Sequence, residues 1–260
     1  MSFKRSPLRA AIAAAALTLP ALVPAAAAAT TAAASPALFV PMQHAGSAPF
    51  FISHGGGFSN ANATSTNWAG YAATGSTYTS VSTTFTQPKV TCSSGDQYSS
   101  FWVGLDGYSS SSVEQTGTEA DCVGSTASYS AWYEMYPAYP VTYSNTVRPG
   151  DVITETVSFS GTSTYTLTLK DATEGWTHKT TKTGSHARSS AEVIAEAPYS
   201  GGVLPLADFG TVSFSGSTVD GSSLSSFSPT GINMDTSGGT IKAATGSLSG
   251  GSFSITWHHR

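Results

Sequence analysis

The stretch VITETVS (152–158) decides the fold class. Val152, Thr154 and Thr156 fall on one side of an extended chain, and Ile153, Glu155 and Val157 on the other. That is the period of two expected of a strand. The same period runs through FWVGLDG (101–107), AWYEMYP (131–137) and AEVIAEA (191–197). Working outward, candidate strands are read at Asn67–Ala73, Val81–Gln87, Tyr98–Leu105, Ser128–Tyr136, Val152–Ser158 and Tyr165–Lys170. Others are read at Trp176–Lys182, Ala191–Ala197, Phe209–Phe214, Thr240–Ala244 and Phe253–His258. Gly, Ser, Asp and Asn separate these runs, and capped helical periodicity is found over no useful length. Many short strands with regular turn signals predict an all-β protein, an antiparallel β-sandwich or barrel.

Composition agrees. Ser and Thr contribute 77 of 260 residues, aromatic residues 11% and charged residues only 10%, against a usual charged share of about 25%. Aromatic content argues against disorder. The acidic balance provides no basic face for nucleic acid. Lys4, Arg5 and Arg9, the apolar run Ala10–Leu22 and the small-residue run Ala25–Ala29 have the three-part pattern of a secretory signal peptide over residues 1–29. Residues 30–63 are low in charge, rich in Ala, Gly, Ser and Pro, and read as a prosegment or tail. The predicted domain covers residues 64–260. No later run is long enough to span a membrane, so a secreted, extracellular protein is expected, a monomer with no membrane partner. Without the signal, 8 basic residues face 15 acidic ones, a charge of −7. So few ionisable groups fit either a protein built for acid, with little carboxylate pairing to lose, or a Ser/Thr-rich domain with no particular pH habit. Cys92 and Cys122 are the only cysteines and are expected to form one disulfide. No ligand spacing for a metal is present, and no cofactor is implied.

Strand phase groups the candidate chemistry. Trp102, Gly104 and Asp106 are expected on one face, and Trp132, Glu134 and Tyr136 on one face. Glu192, Ile194 and Glu196 share a face directed at a groove or at solvent, while Ala191, Val193, Ala195 and Ala197 form a core face. Aromatic-flanked carboxylates in an acid-poor chain point to a site. The alternative is ordinary solvent-facing strand acids.

The segments NWAGY (67–71), FWVGLDG (101–107), VEQTGTEADC (113–122), YSAWYEMYP (129–137), SAEVIAEAP (190–198) and LADFGTVSF (206–214) resemble, in order, the G1 peptidases, the glutamic peptidases or eqolisins. The resemblance implies a concanavalin- or jelly-roll-like sandwich of two curved antiparallel sheets, one forming a substrate groove. It implies an acid endopeptidase acting on polypeptide substrates, with Gln115 of Gln-Thr-Gly and Glu196, the second glutamate of Ala-Glu-x-Ile-x-Glu, as the catalytic pair. Glu196 would activate a water and Gln115 would stabilise the oxyanion. Glu192 matches the first, non-catalytic glutamate. Trp68, Trp102, Asp106, Trp132, Glu134 and Tyr136 match supporting positions. Glu119 stands where the best-known members have aspartate, Ser130 where many have aspartate, and Met135 where many have tryptophan. Two other readings stand beside this one: a sandwich-type glycoside hydrolase, which needs two flanking carboxylates, and a non-catalytic carbohydrate-binding module using Trp102 and Trp132 as stacking platforms.

Overall fold

The structure, a computed structural model, describes residues 63–260. The expected signal peptide, and the prosegment apart from Ala63, lie outside the described residues. The strands, in chain order, are β1 (Ala63–Ser65), β2 (Trp68–Thr74), β3 (Ser80–Thr86), β4 (Ser100–Leu105), β5 (Val113–Val123), β6 (Thr126–Tyr136), β7 (Val141–Tyr143) and β8 (Val152–Ser160). They continue with β9 (Thr164–Asp171), β10 (Trp176–Thr183), β11 (Ser190–Glu196), β12 (Thr211–Val219), β13 (Ser222–Ser223), β14 (Thr230–Asp235), β15 (Ile241–Thr245) and β16 (Phe253–Trp257). A single 3-10 turn, Leu224–Phe227, is the only helical element among the described residues.

The strands form one hydrogen-bonded ladder in the order β10-β9-β8-β3-β12-β16-β15-β14-β2-β11-β4-β5-β6-β7. The ladder is antiparallel throughout; β1 adds to β14 in parallel. It folds back on itself, so that β8 and β9 pack against β5, β8 against β4, and β3 against both β4 and β11. The result is a sandwich, and β16, β15 and β14 are the ladder steps that link its two halves.

The space between the halves is filled by alternate residues of the facing strands. Phe101 of β4 meets Phe85 of β3 and Phe209, with ring centroids 5.9 and 5.3 Å apart. Val193, Leu167, Val157 and Ile153 are fully buried in the same core. Burying one such side chain stabilises by about 1.5–3 kcal/mol. The Ala/Val face of β11 belongs to this core, as its phase predicts. Cys92 and Cys122 are joined, which ties the end of β5 to the segment before β4.

Five strands, β1, β5, β7, β13 and β14, lie outside the sequence-predicted set, and one phase breaks, at Asp106. β5 and β14 are absent from the predicted strands, because β5 is buried on both faces and so shows no alternation of apolar and polar residues. Glu155 lies on the buried face of β8, between Ile153 and Val157, and has no exposed surface. Burial pushes its carboxyl well above the usual range, so it is held as a neutral acid. Asp106 follows the end of β4 with φ +67°, so it leaves the face that the period of two assigns to it.

Candidate active site

Five adjacent strands, β2, β11, β4, β5 and β6, build one surface. Their registers align three cross-strand rows. The first is Trp68, Glu196, Ser100, Glu119 and Ser130. The second is Gly70, Ile194, Trp102, Gly117 and Trp132. The third is Ala72, Glu192, Gly104, Gln115 and Glu134. Successive rows are two residues apart on every strand, so all three share one face of the sheet. This face bears a second apolar cluster, separate from the sandwich core, of Trp68, Trp102, Trp132, Val113 and Ile194, with Tyr108 and Tyr136 packed against it.

The glycine of Gln-Thr-Gly has a steric reason. A Cβ on Gly117 would sit 2.6 Å from the Trp102 Cβ and 3.0 Å from the Trp132 ring. The bare backbone lets the two indoles close over β5. Trp68 meets Trp102 edge-on, with centroids 5.0 Å apart, a favoured aromatic geometry. The middle row is therefore an indole floor between a row bearing Glu196 and a row bearing Gln115.

Glu196 is fully buried and both its oxygens accept hydrogen bonds. The Asn67 side-chain amide donates to Oε1 at 3.1 Å, and the Trp102 indole N–H donates to Oε2 at 2.8 Å. Both donors favour the ionised carboxylate. Asn67 is fixed in turn: its Oδ1 accepts the Ser65 hydroxyl at 3.0 Å, and the Ser65 oxygen accepts the backbone N–H of Asn67 and of Trp68. Ser65 escapes a sequence reading because it precedes the Asn67–Trp68 pair in a Ser/Thr-rich run and no motif marks it. Gln115, also buried, donates from Nε2 to the Glu134 carboxylate at 2.7 Å.

The other expected residues divide. Trp68, Trp102, Glu119, Trp132, Glu134 and Tyr136 stand on the site face. Asp106 does not: its carboxylate accepts the backbone N–H groups of Arg188 and Ser189 and the Ser189 hydroxyl, pinning the loop that leads into β11. Glu192 is on the site face but is buried, not directed at solvent. Burial, the largest cause, pushes its carboxyl well above the usual range; the negative charges of Asp106 and Glu114 add to it, while Ser190 and the Tyr108 backbone oppose. Behind Gln115, on the sandwich side of β5, Glu114 lies 3.6 Å from the His186 ring nitrogen. Burial and Asp106 push Glu114 up to about 8. Among the described residues no group of three or more His, Cys, Asp or Glu is placed to hold a metal ion. Two cavities flank the rows. One of about 1060 Å³ opens beside Ser112, Tyr136 and His186 at the Gln115 end. Another of about 450 Å³ opens beside Thr66 and Lys242 at the Glu196 end.

Known proteins share both sequence and architecture. The chain is 31% identical to aspergillopepsin-2 of Aspergillus niger over 221 residues, 74% of this chain and 78% of that one. It is 32% identical to scytalidopepsin B of Scytalidium lignicola over 171 residues, 63% of this chain and 59% of that one. The structure of scytalido-glutamic peptidase with a peptide-based transition state analog superposes with a TM-score of 0.65 at 28% identity, over 74% of this chain and 98% of that one. Aspergilloglutamic peptidase from Aspergillus niger gives 0.57 at 31% identity, over 62% and 99%. These likenesses set aside the glycoside hydrolase and the carbohydrate-binding module. With the profile of the peptidase A4 family matching residues 66–257, the chain belongs to that family, the glutamic endopeptidases of group G1.

Proposed function

We propose that the protein is a secreted endopeptidase that works in acid, with Glu196 as general base and Gln115 as oxyanion donor. One observation carries this reading: Glu196 and Gln115 stand on one face of one sheet, each locked by named partners, on either side of the indole floor. A water oxygen attacks the scissile carbonyl carbon while Glu196 takes the water proton. The carbonyl oxygen gains the negative charge and accepts an N–H from the Gln115 amide. The carbon–nitrogen bond then breaks, and protonated Glu196 returns the proton to the leaving nitrogen.

Acid operation follows from the donors. Two N–H donors favour the ionised form of Glu196, the form that takes the water proton. The Gln115 amide is neutral at any pH, so its donor survives where a histidine would change charge. The indoles give apolar walls for substrate side chains, and the flanking cavities give an extended chain room at both ends of the pair.

The test is digestion of a denatured protein across pH 2–8 with pepstatin and EDTA present. Cleavage confined to acid and indifferent to both inhibitors is expected. Gln115→Ala should lower kcat by about 10²–10³-fold, the effect of one lost oxyanion donor. Absence of cleavage by the folded, processed protein, or near wild-type rates in Gln115→Ala, would overturn the assignment.

A further inference from the structure

The mature chain has 8 basic residues against 15 acidic ones, yet two of the 8 meet at one cavity. Lys242 and Arg260 both line the space of about 450 Å³ at the Glu196 end of the sheet. Its other walls place it on the same track as the catalytic glutamate. Val203, Leu204 and Pro205 lie on the segment that leaves β11 after Glu196, and Thr66 immediately precedes Asn67, whose amide holds Glu196. β14 runs antiparallel to β2, so Asp235 at its end reaches the same edge.

Lys242 is the unusual member. It is only 6% exposed, and its ammonium makes one long hydrogen bond, 3.4 Å to the Thr66 carbonyl. An ammonium has three donors. No carboxylate forms an ion pair with it within 4.0 Å among the described residues. A buried cation without a counter-ion is costly unless something pairs with it. Burial draws Lys242 down to about 8, which still leaves it charged throughout the acid range. Asp235, in the same cavity, has a buried Oδ1 with no hydrogen bond, and burial raises its carboxyl. Lys242 and Arg260 thus bring two cations to the cavity, against the one side-chain carboxylate of Asp235.

We propose that this cavity is a substrate subsite for a carboxylate, with Lys242 as the cation that receives it and Arg260 at the cavity wall. The apolar segment Val203–Pro205 would cover the methylenes that lead to the carboxylate. The carboxylate is either an acidic side chain or the C-terminus of the bound polypeptide. The inference rests on the peptidase reading above and adds to it a preference for acidic or terminal segments on the Glu196 side.

The experiment measures binding, so that it does not depend on turnover. Three peptides of one sequence are titrated by calorimetry at about pH 5.5 into the Glu196→Gln variant: one with glutamate and an amidated C-terminus, one with glutamine and a free C-terminus, and one with glutamine and an amide. At that pH an ordinary carboxylate is ionised. One carboxylate peptide should bind about tenfold more tightly than the uncharged one, as a charge-assisted hydrogen bond in a buried site implies. Which of the two gains identifies the source of the carboxylate. Adding Lys242→Met should bring the ratio to about one, while Lys242→Arg should keep part of it. Arg260→Gln gives a second route to the same loss should the methionine variant fold poorly. Equal binding of the three peptides, or binding of none, overturns the subsite. Wild-type cleavage of the same peptides tests the underlying reading by itself: equal cleavage keeps the peptidase and loses the subsite, whereas selective binding without cleavage does the reverse.

Discussion

Two glutamates of the same strand, four residues apart and on the same face, are equally buried and opposite in character. Glu196 receives the amide of Asn67 and the indole N–H of Trp102. Glu192 receives no hydrogen bond of good geometry and lies near Asp106 and Glu114. Donors aimed at the first favour its ionised form, while burial and like charge push the carboxyl of the second well above the usual range. Burial alone therefore does not choose the protonation state, and the polar atoms aimed at each carboxyl do. The sharpest way to break this comparison is to make both isosteric amides. Glu196→Gln removes a charged base and should cut kcat/KM by about 10³-fold or more, at the upper end of what acid–base catalysis contributes. Glu192→Gln replaces a neutral acid by a neutral amide of the same shape and should leave kcat/KM within about threefold. Rate assays on the folded variants decide it, and comparable losses in the two would show that Glu192 acts as an ionised group.

The same logic predicts stability. Glu114, Glu155 and Glu192 are all buried and all raised. A carboxyl whose pKa is higher in the folded protein than in the unfolded chain favours folding fully below the unfolded value. It loses that contribution as pH rises through the folded value. For Glu114 the window runs from about 4.5 to about 8. Its contribution is on the order of 5 kcal/mol, from 1.36 kcal/mol per unit over about 3.5 units. The melting temperature should therefore fall as pH rises from about 4.5 to 8. Glu114→Gln should flatten part of that slope and be the more stable variant at pH 8, as thermal unfolding across that range would show. A wild-type protein that gains stability over this interval would contradict the assignment of neutral buried acids.

Here the sequence was only half legible. Low charge was visible and fitted either an acid habit or none; what bears on the choice is that Glu114, Glu155 and Glu192 are buried with raised carboxyls, and burial depends on which face a second sheet covers. Glu155 shows the difficulty, for its phase in VITETVS is plain while its place in the sandwich core is not. The phases of 131–137 and 191–197 were legible because both strands lie regularly in the sheet. β5 was not, although it carries Gln115, since a strand buried on both faces has no alternation to read. Asp106 misled because a single left-handed residue ends the period of two. Lys242 carried no motif at all; only the folding of β14, β15 and the chain end around it makes it unusual.

The smallest effect separates orientation from chemistry at Glu196 itself. Asn67 touches the carboxylate but is not asked to transfer a proton. Asn67→Ala removes one of the two donors that stabilise the ionised form, and a hydrogen bond to a charged group contributes about 1.5–3 kcal/mol. Part of that is recovered by water or by relaxation of Trp102, so a shift of about one pH unit is expected. The sign is fixed: losing a donor raises the pKa of Glu196, so the acid limb of the kcat/KM profile moves to higher pH. Activity near pH 3 should fall about tenfold, while activity on the plateau changes much less. A purely structural role for Asn67 would lower the whole profile without moving its limb. The Glu192→Gln variant, measured in parallel, should leave the limb in place, because the group it replaces does not ionise in that range.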